Sequence, residues 1–452
     1  MRVHFIAIGG SIMHNLAIAL AKKGYIVSGS DDYIYEPSRT NLAQENLLPD
    51  PGWDPGRITA DIDAVVVGMH AQADNPELLK AQALGIRICS YPEFIYEQTS
   101  EKTRVVIGGS HGKTTITSMI MHVLKSIGRD FDYLVGAKLD DFDHMVKLTK
   151  DAPLVIIEGD EYLASPVDQR PKFHLYKPHI ALISGIAWDH VNAFPTFENY
   201  LNQFRLFIQT IEPKGTLVYN KEDQALRELV LEDQSNINKH GYRTPEYTIN
   251  KGITYIHTQN GEIPLQVFGK HNLSNIAASF TVCEWLGVKR EEFFEAIQQF
   301  KSVSRRLEYV ANNDDSVVYQ DFAHTPTKLR ASIHALKEQF PDKALVAIIE
   351  LHAYSSLSEA YLREYRDTMR EAEYPAVFIN QDSFKQRNAG SISDEILKEA
   401  FNQPNLVCFN TLESMKQYLQ NMSPKGRNLL LMSSGNYGGI NLVSFADKFL
   451  YK

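Results

Sequence analysis

Cysteine is scarce in this sequence, and that scarcity excludes two kinds of site. The chain of 452 residues has three cysteines, Cys89, Cys283 and Cys408, and none of them belongs to a C-x-x-C pair. Neither a disulfide framework nor a structural zinc site is therefore expected, because both need cysteines at short, regular spacings. This pattern is typical of a protein from a reducing compartment.

Long apolar runs and an excess of positive charge are also missing. A membrane helix needs about eighteen consecutive apolar residues, and no apolar run here approaches that length. The opening MRVHFIAIGG also lacks the pattern of a secretory signal. The formal net charge is −9, which is opposite in sign to that of a general nucleic-acid binder. We therefore expect a cytoplasmic protein without membrane insertion and without a nucleic-acid partner.

Apolar runs that alternate with helical segments indicate an α/β fold built on parallel sheets. A chain of this length is too long for one ordinary core and indicates roughly two to four domains. Each predicted unit has its own apolar strands, such as VHFIAI, LVIIEGDE and ALVAIIEL. We expect three units, which span residues 1–100, 101–302 and 303–452.

The segment VVIGGSHGKTTITSMIMHVLK, residues 105–125, predicts a strand, a glycine loop and a helix. Glycines let several backbone N–H groups point inward together, and the following helix adds its positive end, so such a loop binds phosphate. Lys113 is placed to reach the β and γ phosphates, and the Thr114 hydroxyl to hold Mg²⁺. The common phosphate loop has a further glycine where this chain has Ile107. A structural turn with an exposed lysine is the alternative.

Acidic and histidine side chains follow two further predicted strands. VIIEGDEY ends with Glu158, Asp160 and Glu161, and SGIAWDH ends with Asp189 and His190. Ligand sites in parallel sheets lie at the carboxyl ends of the strands, and oxygen ligands suit Mg²⁺. Two such strand ends after a phosphate loop indicate a shared metal site. Helix capping or a solvated acidic turn is the alternative for the first of them.

Polar side chains in the second half of the chain suit a nucleotide. Asn272 and Asn275 share a face of the predicted helix in GKHNLSNIAAS, where two amides can bind a purine or cap the helix. Arg305 and Arg306 are adjacent, so only one is expected to reach a cleft, where a guanidinium clamps phosphate or carboxylate. Asp321 ends the strand VVYQD and suits a ribose hydroxyl, with a turn as the alternative.

These motifs, in this order and over essentially the whole chain, resemble the Mur ligase family of ATP-dependent ligases, which attach amino acids or peptides to UDP-N-acetylmuramate. The loop GSHGKTT matches the family's G-T-[HN]-G-K-[TS] except at Ser110, and the family does without the outer glycine. The resemblance implies a Rossmann-like N-terminal domain that binds UDP, a central P-loop ATPase domain and a Rossmann-like C-terminal domain. It implies ATP and Mg²⁺ as cofactors. We expect a monomer or a homodimer.

Matching this sequence to the family's motifs assigns a role to each functional residue. The match implies Lys113, His190 and Arg306 as catalytic residues. The implied metal-binding residues are Thr114, Glu158 and His190. The implied ATP-binding residues are Gly109, Ser110, His111, Gly112, Lys113, Thr114, Thr115, Asn272, Asn275, Arg306 and Asp321. The implied residues for the UDP substrate are Gly9, Ser11, Met13, Ser30 and Asp31.

The first-domain turn departs from the family and from another nucleotide-binding class. His14 and Asn15 stand where family members usually have glycines, so the pyrophosphate contacts are expected to differ. The stretch GGSIMH also lacks the G-x-G-x-x-G spacing of dinucleotide oxidoreductases. A dinucleotide-dependent oxidoreductase is therefore not expected.

The amine substrate is the open part of the resemblance. DEYLASPVDQRPKF is similar to a segment of the family members that add a peptide, so we expect L-alanyl-γ-D-glutamyl-meso-diaminopimelate as the amine, in murein recycling. ELHAYSS departs from the E-P-R-S-N of those members. The alternatives are an L-alanine ligase of peptidoglycan synthesis and a non-catalytic relative that binds nucleotide. The candidates for peptide specificity are Arg170, Lys172, His352 and Tyr354.

Overall fold

A computed structural model of the chain describes residues 1–188, 193–351, 359–379 and 392–451. The chain is gathered into two compact units, which are Met1–Thr244 with Ser274–Ile297, and Pro245–Leu273 with Gln298–Lys452. The division at residues 100 and 302 stays a prediction within this organisation. None of the helices in these described ranges is long and apolar enough to span a bilayer.

The first hundred residues form a parallel sheet with helices between its strands. Its elements are β1 Arg2–Ile6, α1 Ser11–Lys22, β2 Ile26–Ser30, α2 Ser38–Gln44, β3 Ala64–Val67, α3 Pro76–Ala83, β4 Arg87–Ser90 and α4 Tyr91–Gln98. The strand order is β2-β1-β3-β4. The predicted strand at residues 3–8 ends early, because Ala7 has φ 65 and starts the turn that leads into α1.

A second, larger sheet contains the glycine loop. Its elements and those around it are β5 Thr103–Gly108, α5 Lys113–Ser126, β6 Asp132–Leu134, β7 Val146–Lys147, β8 Leu154–Glu158, β9 Leu163–Ser165, β10 Asp168–Pro171, β11 Ile180–Ile183, α6 Phe197–Gln209, β12 Thr216–Asn220, α7 Gln224–Glu232 and β13 Asn238–Tyr242. The order is β13-β12-β11-β5-β8-β6-β7, and β9 and β10 form a separate hairpin. The sheet is parallel except where β6 meets β7.

The middle of this sheet brings together the strand ends that the sequence marked as functional. β5 pairs with β8 on one side and β11 on the other, with Ile107 opposite Glu158 and Gly108 opposite Ile183. Their apolar residues are buried, as a parallel sheet covered on both faces requires. Ile107, 0% exposed, is one of these core residues. The isoleucine side chain therefore fills the sheet core at this position, whereas a glycine would leave a cavity there.

The rest of the chain adds an antiparallel sheet and a third α/β sheet. The first part consists of β14 Tyr247–Asn250, β15 Ile253–Thr258, β16 Gly261–Leu265, α8 Lys270–Trp285 and α9 Arg290–Ile297. The second part consists of β17 Glu308–Asn312, β18 Val317–Asp321, α10 Pro326–Gln339, β19 Ala344–Glu350, α11 Glu359–Leu362, β20 Tyr374–Phe378, α12 Asp394–Phe401, β21 Val407–Phe409, α13 Leu412–Asn421, β22 Arg427–Met432 and α14 Leu442–Leu450.

The third α/β sheet has the order β17-β18-β22-β19-β20-β21 in the part of the chain that the structure describes. β17 runs antiparallel to β18, and the other pairs are parallel. The carboxyl ends of β18, β22 and β19 are therefore neighbours. The α/β class expected from the sequence is confirmed, and the polar stretch after β13 is occupied by the antiparallel meander β14–β16.

Phe207 on α6 is a test of how the central sheet is packed. Its ring is 0% exposed and stacks on Phe173 with 4.4 Å between ring centroids. We expect Phe207→Ala to destabilise this unit by about 3–5 kcal/mol, because it leaves a cavity under the glycine loop. The measurement is the midpoint of urea unfolding followed by circular dichroism. The neighbouring Leu206, 40% exposed, is the matched control, and Leu206→Ala should change stability by no more than about 0.5 kcal/mol. Equal midpoints for the two variants would contradict this packing.

Candidate nucleotide-binding site

The glycine loop lies between β5 and α5 and needs glycine at two positions. Gly109 and Gly112 have φ of +121° and +75°, which L side chains rarely adopt. A Cβ on Gly112 would overlap the amide of Asn275, and one on Gly109 would overlap the hydroxyl of Ser184. Backbone conformation and close packing therefore both select glycine here. This loop followed by the first turn of α5 is suited to phosphate.

Ser110, where the family's pattern has threonine, ties the loop to the segment after β11. Its backbone N–H donates to Gly185 O at 3.0 Å, and its hydroxyl accepts from the Ala187 N–H at 2.8 Å. The Ser184 hydroxyl also donates to the carbonyl of His111. The contact with Ala187 uses the hydroxyl of residue 110. Threonine would supply the same hydroxyl, so serine preserves this contact.

Lys113 is held in place beneath the loop by two acceptors. Its Nζ donates to Gly109 O at 2.8 Å and to Glu161 Oε2 at 2.5 Å. The Lys113 side chain is 15% exposed, whereas that of Glu161 is 1% exposed. Lysine side chains in phosphate loops contact the phosphates directly. The ammonium is thus fixed at the start of α5, where the sequence predicted a phosphate contact.

The charge of Lys113 is set by its acidic surroundings. Burial alone would lower the pKa of Lys113, but the carboxylates of Glu161, Asp160 and Glu158 outweigh burial and raise it. Lys113 therefore carries a positive charge at neutral pH. From the sequence, Glu161 is expected at a metal site, in a helix cap or in an acidic turn. Its pairing with Lys113 is not predicted, because the two residues are distant along the chain.

Thr114 and Glu158, two of the predicted metal ligands, are in contact. The Thr114 hydroxyl donates to Glu158 Oε1 at 2.9 Å, and the other Glu158 oxygen accepts from the Gly136 N–H at 2.7 Å. Burial raises the pKa of Glu158, against the opposing effects of Gly136, Lys113 and Thr114. A hydroxyl beside a carboxylate is a donor set that fits Mg²⁺.

The third predicted metal ligand, His190, lies outside the described residues, as does Asp189. Within the residues that are described, no group of three or more His, Cys, Asp or Glu side chains is arranged to hold a metal ion. The Mg²⁺ assignment of Thr114, Glu158 and His190 therefore stays a prediction.

The two asparagines of α8 have different partners. Asn275 is 8% exposed and its side-chain oxygen lies directly beside Gly112. Asn272 is 4% exposed and its amide donates to Phe268 O at 3.0 Å, one helical turn earlier. Asn275 thus adjoins the phosphate loop, whereas the Asn272 side chain is bonded to the backbone at the start of its own helix. Their assignment to the adenine stays a prediction.

Arg305 and Arg306 differ in what they contact. Arg305 has φ 61 and donates to Ser433 O at 2.9 Å and to the carbonyl of Gly435, so it supports the turn after β22. The guanidinium of Arg306 lies over the ring of Phe322 at 4.8 Å. Both guanidinium groups therefore lie over Phe322, that of Arg305 at 5.2 Å from the ring centroid, and Arg305 also bonds to backbone carbonyls.

Asp321 ends β18 beside a histidine that the sequence analysis did not single out. The Asp321 side chain is 8% exposed and accepts a hydrogen bond from the Ser332 hydroxyl. Burial lowers the pKa of His271, Asp321 opposes that shift, and Arg306 adds to it. These charge effects place His271 near both predicted ligands of the nucleotide. The signal in the sequence was the histidine in GKHNLSN, next to Asn272.

The first-domain candidates fall into two groups. The N–H of Gly9 donates to Asp31 Oδ2 at 2.7 Å, and burial raises the pKa of Asp31 to about 6. By contrast, the Ser30 hydroxyl donates to the buried Glu77, and Met13, 4% exposed, belongs to the hydrophobic core. The Gly9–Asp31 bond joins the turn after β1 to the end of β2, where the UDP part of the substrate is predicted to bind. The Ser30 and Met13 side chains are buried in the interior.

His14 and Asn15 replace glycines of the family pattern and fasten α1 to its surroundings. His14 Nδ1 is 2.9 Å from Gly10 O, and His14 Nε2 is 2.9 Å from the Asn15 amide. Asn15 Oδ1 accepts from the Met145 N–H at 2.9 Å, and the Ser11 hydroxyl lies 3.4 Å from the Met145 sulfur. Burial lowers the pKa of His14, which favours the neutral ring that these contacts need.

The predicted peptide-specificity segment forms the β9–β10 hairpin. Arg170 forks onto the Asp168 carboxylate with bonds of 2.8 and 2.7 Å, and Lys172 donates to Asp160 Oδ2 at 2.6 Å. The Lys172 bond links the hairpin to the acidic end of β8. The remaining specificity candidates lie outside the described residues, namely His352 and Tyr354.

Comparison with known families agrees with this architecture over nearly the whole chain. The Mur ligase family catalytic domain matches residues 2–103, the Mur ligase middle domain residues 107–283, and the Mur ligase glutamate ligase domain residues 305–435. The chain belongs to the Mur ligase family. It is an ATP-dependent ligase that forms carbon–nitrogen bonds, and the family's substrates are UDP-muramate derivatives and an amino acid or peptide.

Individual relatives differ in the amine that their names give. The chain is 30% identical to the UDP-N-acetylmuramate–L-alanine ligase of Carboxydothermus hydrogenoformans, over 98% of this chain and 96% of that protein. It is 25% identical to the UDP-N-acetylmuramate–L-alanyl-γ-D-glutamyl-meso-2,6-diaminoheptandioate ligase of Haemophilus influenzae, over 97% of each chain. The crystal structure of UDP-N-acetylmuramate-alanine ligase from Thermotoga maritima superposes with a TM-score of 0.72 at 21% identity, over 99% of this chain and 98% of that one.

Gly112 tests whether the loop geometry is needed for nucleotide binding. We expect Gly112→Ala to weaken ATP binding by more than about tenfold, because the added methyl group displaces Asn275 or the loop. Isothermal titration calorimetry with ATP measures this. Gly128 is the matched control, since its φ is +68° but nothing lies within 4 Å of its added Cβ.

We expect Gly128→Ala to lower the free energy of unfolding by about 1 kcal/mol, because alanine is strained at this positive φ. Its ATP affinity should stay at the wild-type value. An ATP dissociation constant for Gly112→Ala equal to that of Gly128→Ala would count against the site.

Proposed function

We propose that this protein joins L-alanine to the lactyl carboxylate of UDP-N-acetylmuramate at the expense of ATP. The support is the 30% identical relative named for that reaction, which aligns over 98% of this chain. The sequence analysis favoured a tripeptide as the amine. The relative named for that substrate is less similar, at 25% identity, so the alternative that the sequence analysis kept open is now the better supported one.

The chemistry follows from what a carboxylate needs before it can form an amide. The ATP γ-phosphoryl group passes to the carboxylate and gives an acyl phosphate, and the amine then attacks the acyl carbon and phosphate leaves. Catalysis of such a transfer is mainly positioning and neutralisation of charge. The fixed ammonium of Lys113 beneath the glycine loop is the observation that supports the phosphoryl-transfer step of this proposal.

The remaining catalytic roles are proposed one by one. Thr114 and Glu158, with His190, would hold Mg²⁺, which supplies positive charge to the ATP phosphates when bound. Arg306 would approach the transferred phosphoryl group. Asn272, Asn275 and Asp321 would bind the adenosine part of ATP, and the turn at Gly9 and Asp31 the UDP part of the substrate. We also propose a cytoplasmic location, where nucleotide-linked substrates occur.

A peptide amine is the second candidate, and one feature favours it. Asp168 and Arg170 on β10, and Lys172 directly after it, match a segment of the family members that add a peptide. The Arg170 side chain is 58% exposed although it forks onto Asp168, so its guanidinium is accessible to an anionic group. A peptide with free carboxylates is an amine substrate that offers such groups, whereas alanine offers one.

Lys113 is the residue on which ATP use is expected to depend. Lys113→Ala should lower the rate of substrate-dependent phosphate release by about 100-fold or more, because it removes a fixed charge from the transferred phosphate. Lys125 on the same helix is the matched control. Its Nζ bonds to Asp141 O at the surface, away from the loop.

Lys125→Ala should keep the wild-type rate, and both variants should keep the wild-type circular dichroism spectrum. Near-full phosphate release by Lys113→Ala would refute the site assignment.

The amine is identified by supplying UDP-N-acetylmuramate and ATP together with one amine at a time. We expect L-alanine to support rapid phosphate release and formation of the UDP-linked product, detected by mass spectrometry, while the tripeptide gives a kcat/KM lower by about tenfold or more. The opposite ranking would establish the peptide candidate. In that case Arg170→Ala should raise the KM for the tripeptide. Phosphate release that ignores both amines would indicate a non-catalytic relative.

A further inference from the structure

Glu161 is a buried carboxylate whose two oxygens are engaged from different elements. Oε2 accepts from Lys113 at the start of α5 at 2.5 Å, and Oε1 accepts from the Tyr200 hydroxyl on α6 at 3.2 Å. Glu161 itself is 0% exposed. A buried carboxylate is costly unless it is paired and hydrogen-bonded. Its position is therefore strongly constrained by these two partners.

Tyr200 supplies a rigid anchor for this carboxylate. Its side chain is 0% exposed, and its ring packs edge-on against Phe204 at 5.2 Å and at a tilt against Phe194 at 5.6 Å. Because the ring is enclosed on α6, the hydroxyl has little freedom to move. The packed ring of Tyr200 therefore holds Glu161 in place, and Glu161 in turn holds Lys113.

The direction in which Lys113 points follows from this arrangement. An ammonium group has three N–H donors, and two of those on Lys113 are directed to Glu161 and Gly109 O. Two fixed bonds determine where the third N–H points. Glu161, however, carries the same sign of charge as ATP, so it opposes nucleotide binding while it orients the lysine.

We propose that Glu161 is a positioning residue, which orients the Lys113 ammonium for phosphoryl transfer and is itself oriented by Tyr200. This inference rests on the proposed role of Lys113. It concerns how that role is achieved, through residues that do not touch the substrates. A positioning residue of like charge to the nucleotide has a distinctive signature, because its loss lowers the rate of transfer without weakening the binding of ATP.

Glu161→Gln tests that signature, since it keeps the shape of the side chain and removes its charge. We expect kcat to fall by about 10- to 100-fold, the range for a misplaced catalytic group. We expect the dissociation constant for ATP, measured by calorimetry, to be unchanged or lower, because a negative charge has been removed. Tyr200→Phe, which removes one hydroxyl, should shift kcat in the same direction by a smaller factor and leave ATP affinity unchanged.

Glu212→Gln is the matched control. Glu212 pairs with the buried Arg104 at 2.9 Å. Arg104 lies at the start of β5, whereas the glycine loop follows the last residue of that strand. The substitution therefore removes the charge of a glutamate ion pair within the same unit, away from the loop. It should change thermal stability at most, and leave kcat and ATP affinity at wild-type values.

The outcomes separate the inference from the proposed function. A parallel loss of kcat and ATP affinity in Glu161→Gln would show a general structural role and overturn the proposal, as would an unchanged kcat. If Glu161→Gln does not fold, Tyr200→Phe decides, and an unchanged kcat in that variant overturns the proposal. An inactive Lys113→Ala with a normal Glu161→Gln refutes only this inference, whereas an active Lys113→Ala refutes the proposed function beneath it.

Discussion

The ion pair between Lys113 and Glu161 is the interaction on which the candidate site depends. It joins the first residue of α5 to the segment just after β8. The glycine loop, which leads into α5, is therefore held against the end of the neighbouring strand β8. Buried opposite charges hold each other in place because separating them would leave one charge unpaired in a poorly solvated interior. The loop between β5 and α5 thus has a charged support beneath it, formed by the contacts of Lys113 with Gly109 O and Glu161.

The parallel order of the central sheet makes this interaction possible. β5 lies between β8 and β11, so three strand ends meet at one edge, which is where ligand sites form in such sheets. Ser110 bonds to the segment after β11, Thr114 to the end of β8, and Gly112 admits Asn275 from α8. The glycine loop therefore has its conformation set by contacts from several directions, which is the preorganisation that charge stabilisation requires.

Departures from the family pattern are compensated by specific contacts. Ser110 keeps the hydroxyl that its position uses, and the pair His14 and Asn15 fastens α1 through hydrogen bonds. The catalytic part of the molecule is thus close to its family in chemistry. The β9–β10 hairpin, which is the predicted peptide-specificity segment, is less constrained, because a surface hairpin tolerates change that a buried ion pair does not.

The sequence by itself determined the α/β class, the glycine loop and the acidic strand ends, because these are local patterns read from strand periodicity, turn residues and short motifs. It also predicted roles for Lys113 and Thr114 from residue type and spacing, whereas the choice of Glu158 among the three acidic residues came from the family resemblance. Only the tertiary structure decided which carboxylate pairs with Lys113, that Tyr200 supports it, that Asn275 adjoins Gly112 while Asn272 bonds to Phe268 O, and that Ser30 and Met13 face inward. The reason is physical, since these contacts join residues far apart in the chain and depend on strand order and burial, which local patterns do not encode.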